Sequence, residues 1–265
     1  VYSSFQLAKK YFHYYLTAHN SKGHGMHSPF VFDFILRVLN NGNHYELPAV
    51  IEEQRQALLK DERVLKIEDM GAGSRLVSSP ERRVKDLAKS ALKPPKYAQL
   101  LYRLVRHYTP QNIIELGTSL GITTNYLSFA NPDAYITTIE GSKEVLAIAR
   151  EQFDRTGVKN INPVCGNFDD VLPGILSSLK KADLVYIDGN HRKEPTVRYF
   201  HQLLPYCHEN SILVFDDIHW SPEMEGAWRI IREHPSVRTS IDIFFLGFIF
   251  FRKGFREKQD FSIRF

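Results

Sequence analysis

Cysteine is nearly absent. Cys165 and Cys207 are the two cysteines in 265 residues, and they fit neither a disulfide framework nor a metal-knuckle spacing. That excludes a small secreted scaffold held by bridges and points to a reducing, cytoplasmic setting. Cys165 lies in an apolar stretch that predicts burial. Long apolar runs are missing as well. The longest, Phe244 to Phe251, falls short of the roughly 20 residues a spanning helix needs, so no membrane partner is expected. The first residues, Val1-Tyr2-Ser3-Ser4, lack the charged-then-apolar pattern of a signal peptide. Charge of one sign is also scarce: 34 basic and 30 acidic residues leave a formal +4. The basic residues cluster mainly at Arg252, Lys253, Arg256 and Lys258, an excess too small to argue a nucleic-acid partner by itself. No repeat or low-complexity tract is evident. What is present is a 43% hydrophobic content, enough to fill a sizeable core and to exclude disorder.

From Asn112 onward, short β-branched runs alternate with helical spacing, which predicts βα units and a parallel sheet. The expected strands are Asn112 to Glu115, Ala134 to Ile139, Ile161 to Cys165, Asp183 to Ile187 and Ser211 to Phe215. Ser221-Pro222 caps a helix carrying Met224, Ala227, Trp228 and Ile231 on one face. Beyond it, Ser240 to Phe245 and Phe248 to Arg252 flank Leu246-Gly247 and read as an antiparallel hairpin. The fold class expected is therefore α/β, Rossmann-like, with five parallel strands and a C-terminal hairpin. Residues 1–96 read as a helical cap and 97–265 as the main domain. In the cap, Ser28-Pro29 opens a helix through Leu39 and Ser79-Pro80 another through Leu92. Lys93-Pro94-Pro95 forms a linker before a helix from Tyr97 to His107.

Glu115-Leu116-Gly117-Thr118-Ser119-Leu120-Gly121 places an acid at a strand end and two glycines across the turn into a helix. Glycine belongs where a backbone turns tightly and a ligand touches the main chain. The dinucleotide pattern of three glycines is absent, so no pyrophosphate cradle is built, and a cofactor without phosphates fits better. Glu140, followed by Gly141, ends the second strand at the spacing where such folds place an acid on a ribose. After the third strand, Gly166-Asn167-Phe168-Asp169 combines a glycine turn with groups able to reach an adenine. An upstream segment, Glu68-Asp69-Met70-Gly71-Ala72-Gly73, imitates this signature, but no second strand with a ribose acid follows it. It reads as a flexible glycine loop. His24-Gly25-Met26-His27 reads as a helix lead-in without the partners of a zinc site.

With Tyr186-Ile187-Asp188-Gly189-Asn190-His191 and Val214-Phe215-Asp216-Asp217-Ile218-His219-Trp220, the chain from Tyr97 to Lys253 resembles class I S-adenosylmethionine-dependent methyltransferases. Within them it is similar to the small-molecule O-methyltransferases related to catechol O-methyltransferase. The resemblance implies S-adenosylmethionine bound by Glu115, Gly117, Thr118, Ser119, Gly121, Glu140, Gly141, Asn167, Phe168 and Asp188. It implies a divalent cation, Mg2+ or Ca2+, on Asp188, Asp216 and Asp217, although the family usually has Asn where this chain has Asp217. Such a cation would offset carboxylate repulsion and lower the pKa of an acceptor hydroxyl. The family's general-base lysine position is occupied here by His191, and His219 is a second candidate base.

The expected function is methyl transfer to a hydroxyl of a small molecule, with a homodimer possible through the apolar segment Ile241 to Phe251. The alternatives are an RNA or protein methyltransferase and a non-catalytic S-adenosylmethionine-binding module. The first would use the basic tail and the aromatic segment Tyr11, Phe12, Tyr14 and Tyr15, but no Asn-Pro-Pro-Tyr-type motif follows the fourth strand. The glycine spacing and closing hairpin disfavour a nicotinamide-dependent dehydrogenase.

Overall fold

A computed structural model describes residues 1–23, 27–41, 46–66, 81–254 and 257–265. His24 to Met26, the glycine loop through Gly73, Ser79-Pro80 and Arg256 lie outside the described residues. In chain order the first elements are α1 (Ser4–Thr17), α2 (Pro29–Phe34), a π-helical turn (Ile35–Leu39), α3 (Ala49–Leu58), β1 (Val64–Lys66) and β2 (Glu81–Arg83). Next come α4 (Val84–Ala91), α5 (Pro95–Tyr108), β3 (Asn112–Leu116), α6 (Ile122–Ala130), β4 (Tyr135–Glu140), α7 (Lys143–Thr156) and β5 (Ile161–Cys165). The chain ends with α8 (Phe168–Ser178), β6 (Leu184–Ile187), α9 (Lys193–Leu203), β7 (Ile212–Asp216), α10 (Pro222–Glu233), β8 (Thr239–Asp242), β9 (Leu246–Phe250) and β10 (Gln259–Ser262). The architecture is thus mixed α/β, with mostly parallel strands and a C-terminal antiparallel hairpin. Among the described residues no helix is long and apolar enough to cross a membrane.

By internal contact the chain parts into two compact units, residues 37–172 and residues 1–36 with 173–265. Residues 1–36 therefore group with the C-terminal part and 37–96 with the middle of the chain, where the sequence suggested one boundary at residue 96. In the middle unit β3, β4 and β5 run parallel, with Ile113 opposite Ile136 and Ile136 opposite Ile161. α3 is laid onto α6 and α7 by polar contacts that its burial requires. Gln54 donates to the Gln152 carbonyl at 2.9 Å, and Asn125 donates to Gln54 at 3.1 Å. The buried Arg103 donates to the carbonyls of Val38 at 2.7 Å and Leu39 at 3.3 Å, covering a helix end whose carbonyls would otherwise lack donors. The segment before α4 differs from its reading as helix: residues 81–83 pair as a strand with residues 64–66, and the helix begins only at Val84.

In the other unit the strand order is β10-β8-β9-β7-β6. β6 and β7 are parallel, β9 runs antiparallel to both β7 and β8, and β10 adds parallel to β8. α2 packs its aromatic face on β9, with Phe34 edge-on to Phe248 at 5.2 Å and Phe30 edge-on to Phe250 at 4.9 Å.

Three sequence expectations are corrected here. Cys165 is exposed, because it ends β5, a strand in which no residue is fully buried. β10 was not expected, since its polar sequence carries little strand signal. The hairpin turn lies at residues 243–245 and not at Leu246-Gly247. Asp242 Oδ1 accepts from the Phe244 amide at 2.7 Å and so builds the turn. Gly247 sits within β9 for a packing reason: a Cβ there would stand 2.7 Å from the indole of Trp228, itself 3% exposed. Gly247→Ala is therefore expected to cost about 1–3 kcal/mol, read as a lower urea midpoint together with a changed Trp228 fluorescence. An unchanged midpoint would mean that the indole can move aside.

Candidate active site

The first group of candidate residues lies in the unit spanning residues 37–172. Glu115, the penultimate residue of β3, is fully buried, and its Oε2 accepts from Thr124 at 2.5 Å and from Thr138 at 2.6 Å. Thr138 also meets Thr118 at 2.6 Å. Glu115 thus lies beneath the glycine turn and ties it to β4. The amides of Gly117 and Thr118 donate to the Ile139 carbonyl at 3.0 and 3.1 Å, and Gly117, Ser119 and Gly121 all have positive φ. At Gly121 (φ +80°) a Cβ would stand 2.7 Å from the Phe153 ring and 3.1 Å from the Ala149 Cβ. Packing of α6 on α7 therefore explains this glycine.

Glu140 turns back over the loop, with Oε2 accepting from the Ser119 amide at 2.9 Å and Oε1 from the Ser142 amide at 3.1 Å. Each carboxylate oxygen has further acceptor capacity. Gly141 is half-buried beside it. The Ser119 hydroxyl oxygen is buried with no hydrogen-bond partner among the described residues, and burying a polar atom unpaired is costly. A ligand with hydroxyls and amines and no phosphates would meet both the serine and the glutamate, so this loop fits S-adenosylmethionine. Asn167 accepts from the Asp169 amide at 3.0 Å at the start of α8, and Phe168 is half-buried. Asn167 is thus engaged as a helix cap.

The second group lies in the unit of residues 1–36 and 173–265. Asp188 follows β6 and accepts from the Tyr186 hydroxyl at 2.8 Å. Two residues apart on an extended strand, these side chains share a face. That period-two signal was available in the sequence, and Tyr186 was overlooked. His191 Nε2 lies 3.7 Å from Asp188 Oδ1, and Asp216, 1% exposed, ends β7. Asp188, His191 and Asp216 each bring one ligand atom to within 4.8 Å of the others. Asp217, held by left-handed backbone (φ 54°) with its amide on the Phe245 carbonyl, is not part of this group. Two carboxylates so close favour a cation between them. The two carboxylate oxygens suit Mg2+ or Mn2+, which leaves the His191 imidazole beside them available for proton transfer.

His219 is placed differently from its reading as a base. Its Nδ1 meets Glu225 at 3.0 Å and its Nε2 meets Asp242 at 2.8 Å, while its ring stacks on Phe244 at 5.1 Å. A carboxylate on each nitrogen favours the doubly protonated ring and occupies both positions through which a base would act. Burial pulls its pKa down, but hydrogen bonds and charge from Asp242, then Glu225, outweigh it and the net shift is upward. Glu225 also accepts from Tyr2 at 2.7 Å and Lys10 at 2.9 Å. Burial raises the Glu225 pKa, but the bonds from Tyr2, Lys10 and His219 outweigh burial and hold it below the usual carboxylate range. No local sequence pattern signals this network, in which Tyr2 and Lys10 lie more than 200 residues from Glu225.

Comparison with known proteins places these groups in context. Residues 114–218 match a family described as methyltransferase domain. The chain is 29% identical over 126 residues to a catechol O-methyltransferase of Niastella koreensis, covering 46% of this chain and 55% of that protein. An uncharacterised Synechococcus protein is 32% identical over 83 residues, covering 27% of this chain and 20% of that one. The chain thus spans about half, or less, of the length of these curated relatives. Among solved structures, the O-methyltransferase TomG of Streptomyces achromogenes, in complex with S-adenosylmethionine, superposes with a TM-score of 0.60 at 18% identity, covering 82% of this chain and 96% of that one. A Podospora anserina methyltransferase bound to S-adenosylhomocysteine gives 0.61 at 15% identity, covering 85% and 97%. These two likenesses establish the fold.

The His219 network has a testable sign. Its folded-state pKa lies above the ordinary 6.5, so the stabilisation is complete below about pH 6.5 and is lost as pH rises through the raised value. The melting temperature is expected to fall over that window, and His219→Gln is expected to remove that part of the fall. Parallel pH profiles for the two proteins would instead assign the pH dependence to other groups.

Proposed function

From a chain that carries a methyltransferase domain on the class I fold, we propose an enzyme that moves a methyl group from S-adenosylmethionine to a hydroxyl of a small molecule. The observation that carries the cofactor half is the loop at 117–121, with Glu140 turned over it and an unpartnered buried Ser119 hydroxyl oxygen. The observation behind the acceptor half is the convergence of Asp188, His191 and Asp216. The O-methyltransferase names of the similar proteins support oxygen as the acceptor atom.

S-adenosylmethionine supplies an electrophilic sulfonium methyl, which leaves the protein the tasks of aligning the acceptor and removing its proton. Glu140 accepts the ribose hydroxyls while its bonds to the Ser119 and Ser142 amides fix its rotamer. Asp188 and Asp216 would hold a divalent cation, which would lower the pKa of an acceptor hydroxyl. Tyr186 fixes the Asp188 carboxylate through its hydroxyl. His191 takes the acceptor proton on its imidazole, in the position where the resemblance implies a lysine.

Two measurements test this reading. Calorimetry with S-adenosylhomocysteine is expected to give micromolar binding to the wild type and roughly tenfold weaker binding to Glu140→Ala, the loss of about 1.4 kcal/mol of charge-assisted hydrogen bonding. Equal affinities would remove Glu140 from the ribose. Asp188→Asn is expected to abolish turnover and weaken Mn2+ binding, followed by electron paramagnetic resonance, while leaving S-adenosylhomocysteine affinity within about twofold. Retained turnover in that variant would remove the cation from the mechanism.

A further inference from the structure

Helix α1 presents one more face than its packing uses. Three- and four-residue steps sort its side chains into three sectors. Leu7, Tyr11 and Tyr14 pack on Phe244 and Phe245, with Tyr11 edge-on to Phe244 at 5.0 Å. The Tyr14 hydroxyl donates to the Ile263 carbonyl, and Lys10 is fixed to Glu225, so this inner face is fully committed. A second sector, with Gln6, Lys9, His13 and Thr17, lines an open cleft of about 590 Å³ whose other wall includes Arg232. The third sector is apolar and faces outward: Phe5, Phe12 and Leu16 are 80%, 63% and 59% exposed, and Tyr15 beside them is 49% exposed. Two phenyl rings and a leucine aligned in water on one helix are the pattern of a surface that docks.

Charge decides what it docks on. α1 holds Lys9, Lys10 and His13 and no aspartate or glutamate. Lys10 is neutralised by Glu225, whereas Lys9, His13 and Arg232 form no ion pair among the described residues. The outward apolar stripe is therefore bordered along one side by the unpaired charge of Lys9 and by the His13 imidazole, with the unpaired Arg232 across the cleft. A second copy packed face to face would bring Lys9 against its counterpart, with no acid on the helix to meet it. A nucleic acid would offer phosphates to the cations but no aliphatic layer for Leu16. An anionic phospholipid surface supplies both: headgroup phosphates at the level of Lys9, His13 and Arg232, and the acyl boundary beneath for Phe5, Phe12 and Leu16. We propose that α1 lies in the plane of an anionic phospholipid surface and holds the protein there peripherally, with Phe5, Phe12 and Leu16 inserted and Lys9, His13 and Arg232 on the headgroups. This needs no spanning helix and is independent of the methyltransferase reading.

Flotation of the full chain with vesicles tests it. With vesicles of phosphatidylglycerol in phosphatidylcholine at low salt, the protein is expected to float. With phosphatidylcholine alone it is expected to stay at the bottom, and about 1 M salt is expected to release it. Phe5→Ser with Phe12→Ser is expected to cut the bound fraction at least about tenfold. The melting temperature should stay unchanged, because both rings are already exposed. Lys9→Glu with Arg232→Glu is expected to weaken binding by a similar factor while leaving S-adenosylhomocysteine affinity intact. Absence of flotation with the anionic vesicles would overturn the proposal, as would flotation retained by the Phe5, Phe12 variant. A wild-type dimer in sedimentation that dissociates in that same variant would also overturn it, by assigning the face to self-association.

Discussion

A buried carboxylate organises the loop on which the cofactor reading rests. Glu115 is fully buried, and its Oε2 accepts from Thr124 on α6 and Thr138 on β4. A carboxyl group so placed is tolerated only with hydrogen-bond partners around it. Satisfying it draws the end of β3, the start of α6 and the middle of β4 to one point. The turn between β3 and α6 then has little choice: its amides fall on the Ile139 carbonyl, its backbone takes left-handed values at Ser119 and Gly121, and Glu140 is pulled over it by the Ser119 amide. The acid that the sequence shows at a strand end is thus the foundation of the ligand loop. The acid one strand later, Glu140, closes over that loop through the Ser119 amide.

This division shows what a sequence can convey. Glu115, Gly117, Gly121 and Glu140 are legible because their spacing follows from the βα unit, and the strands at 112–116, 135–140 and 161–165 come from β-branched runs close to their expected places. Whether a given acid points into the core or over the loop is not legible, since both occur at a strand end. Gly247 teaches the same lesson. A glycine after an apolar run reads as a turn, yet it is required by Trp228 of α10, and Asp242 makes the turn three residues earlier.

The acceptor-side cluster was legible in part. Asp188 and Asp216 stand at successive strand ends and the structure brings them together. Asp217 and His191 could not be ranked, because each lies in a loop whose direction is set by backbone conformation. The left-handed residue Asp217 and the left-handed Asn190, whose side-chain amide donates to the Tyr199 hydroxyl at 2.9 Å, together leave His191 in the group and Asp217 outside it. The clamp on His219 was not legible because its two carboxylate partners, Glu225 and Asp242, come from different elements, and no local pattern announces a clamp assembled in three dimensions.

That clamp also changes the meaning of the chain's modest charge. A net +4 spread over 265 residues suggests a nearly neutral surface, yet the unit that contains α1 segregates its charge sharply. Glu225 and Asp242 are spent on His219, Lys10 and Tyr2, so the acids that might neutralise the cleft are directed inward. Lys9 and Arg232 are left at its edge as a local cationic field. Such a field acts over about a Debye length, roughly 8–10 Å in physiological salt, and an incoming surface responds to it and not to the molecular total. The ion network that fastens α1 to the body through Glu225 is therefore also what leaves the outer edge of that helix positive.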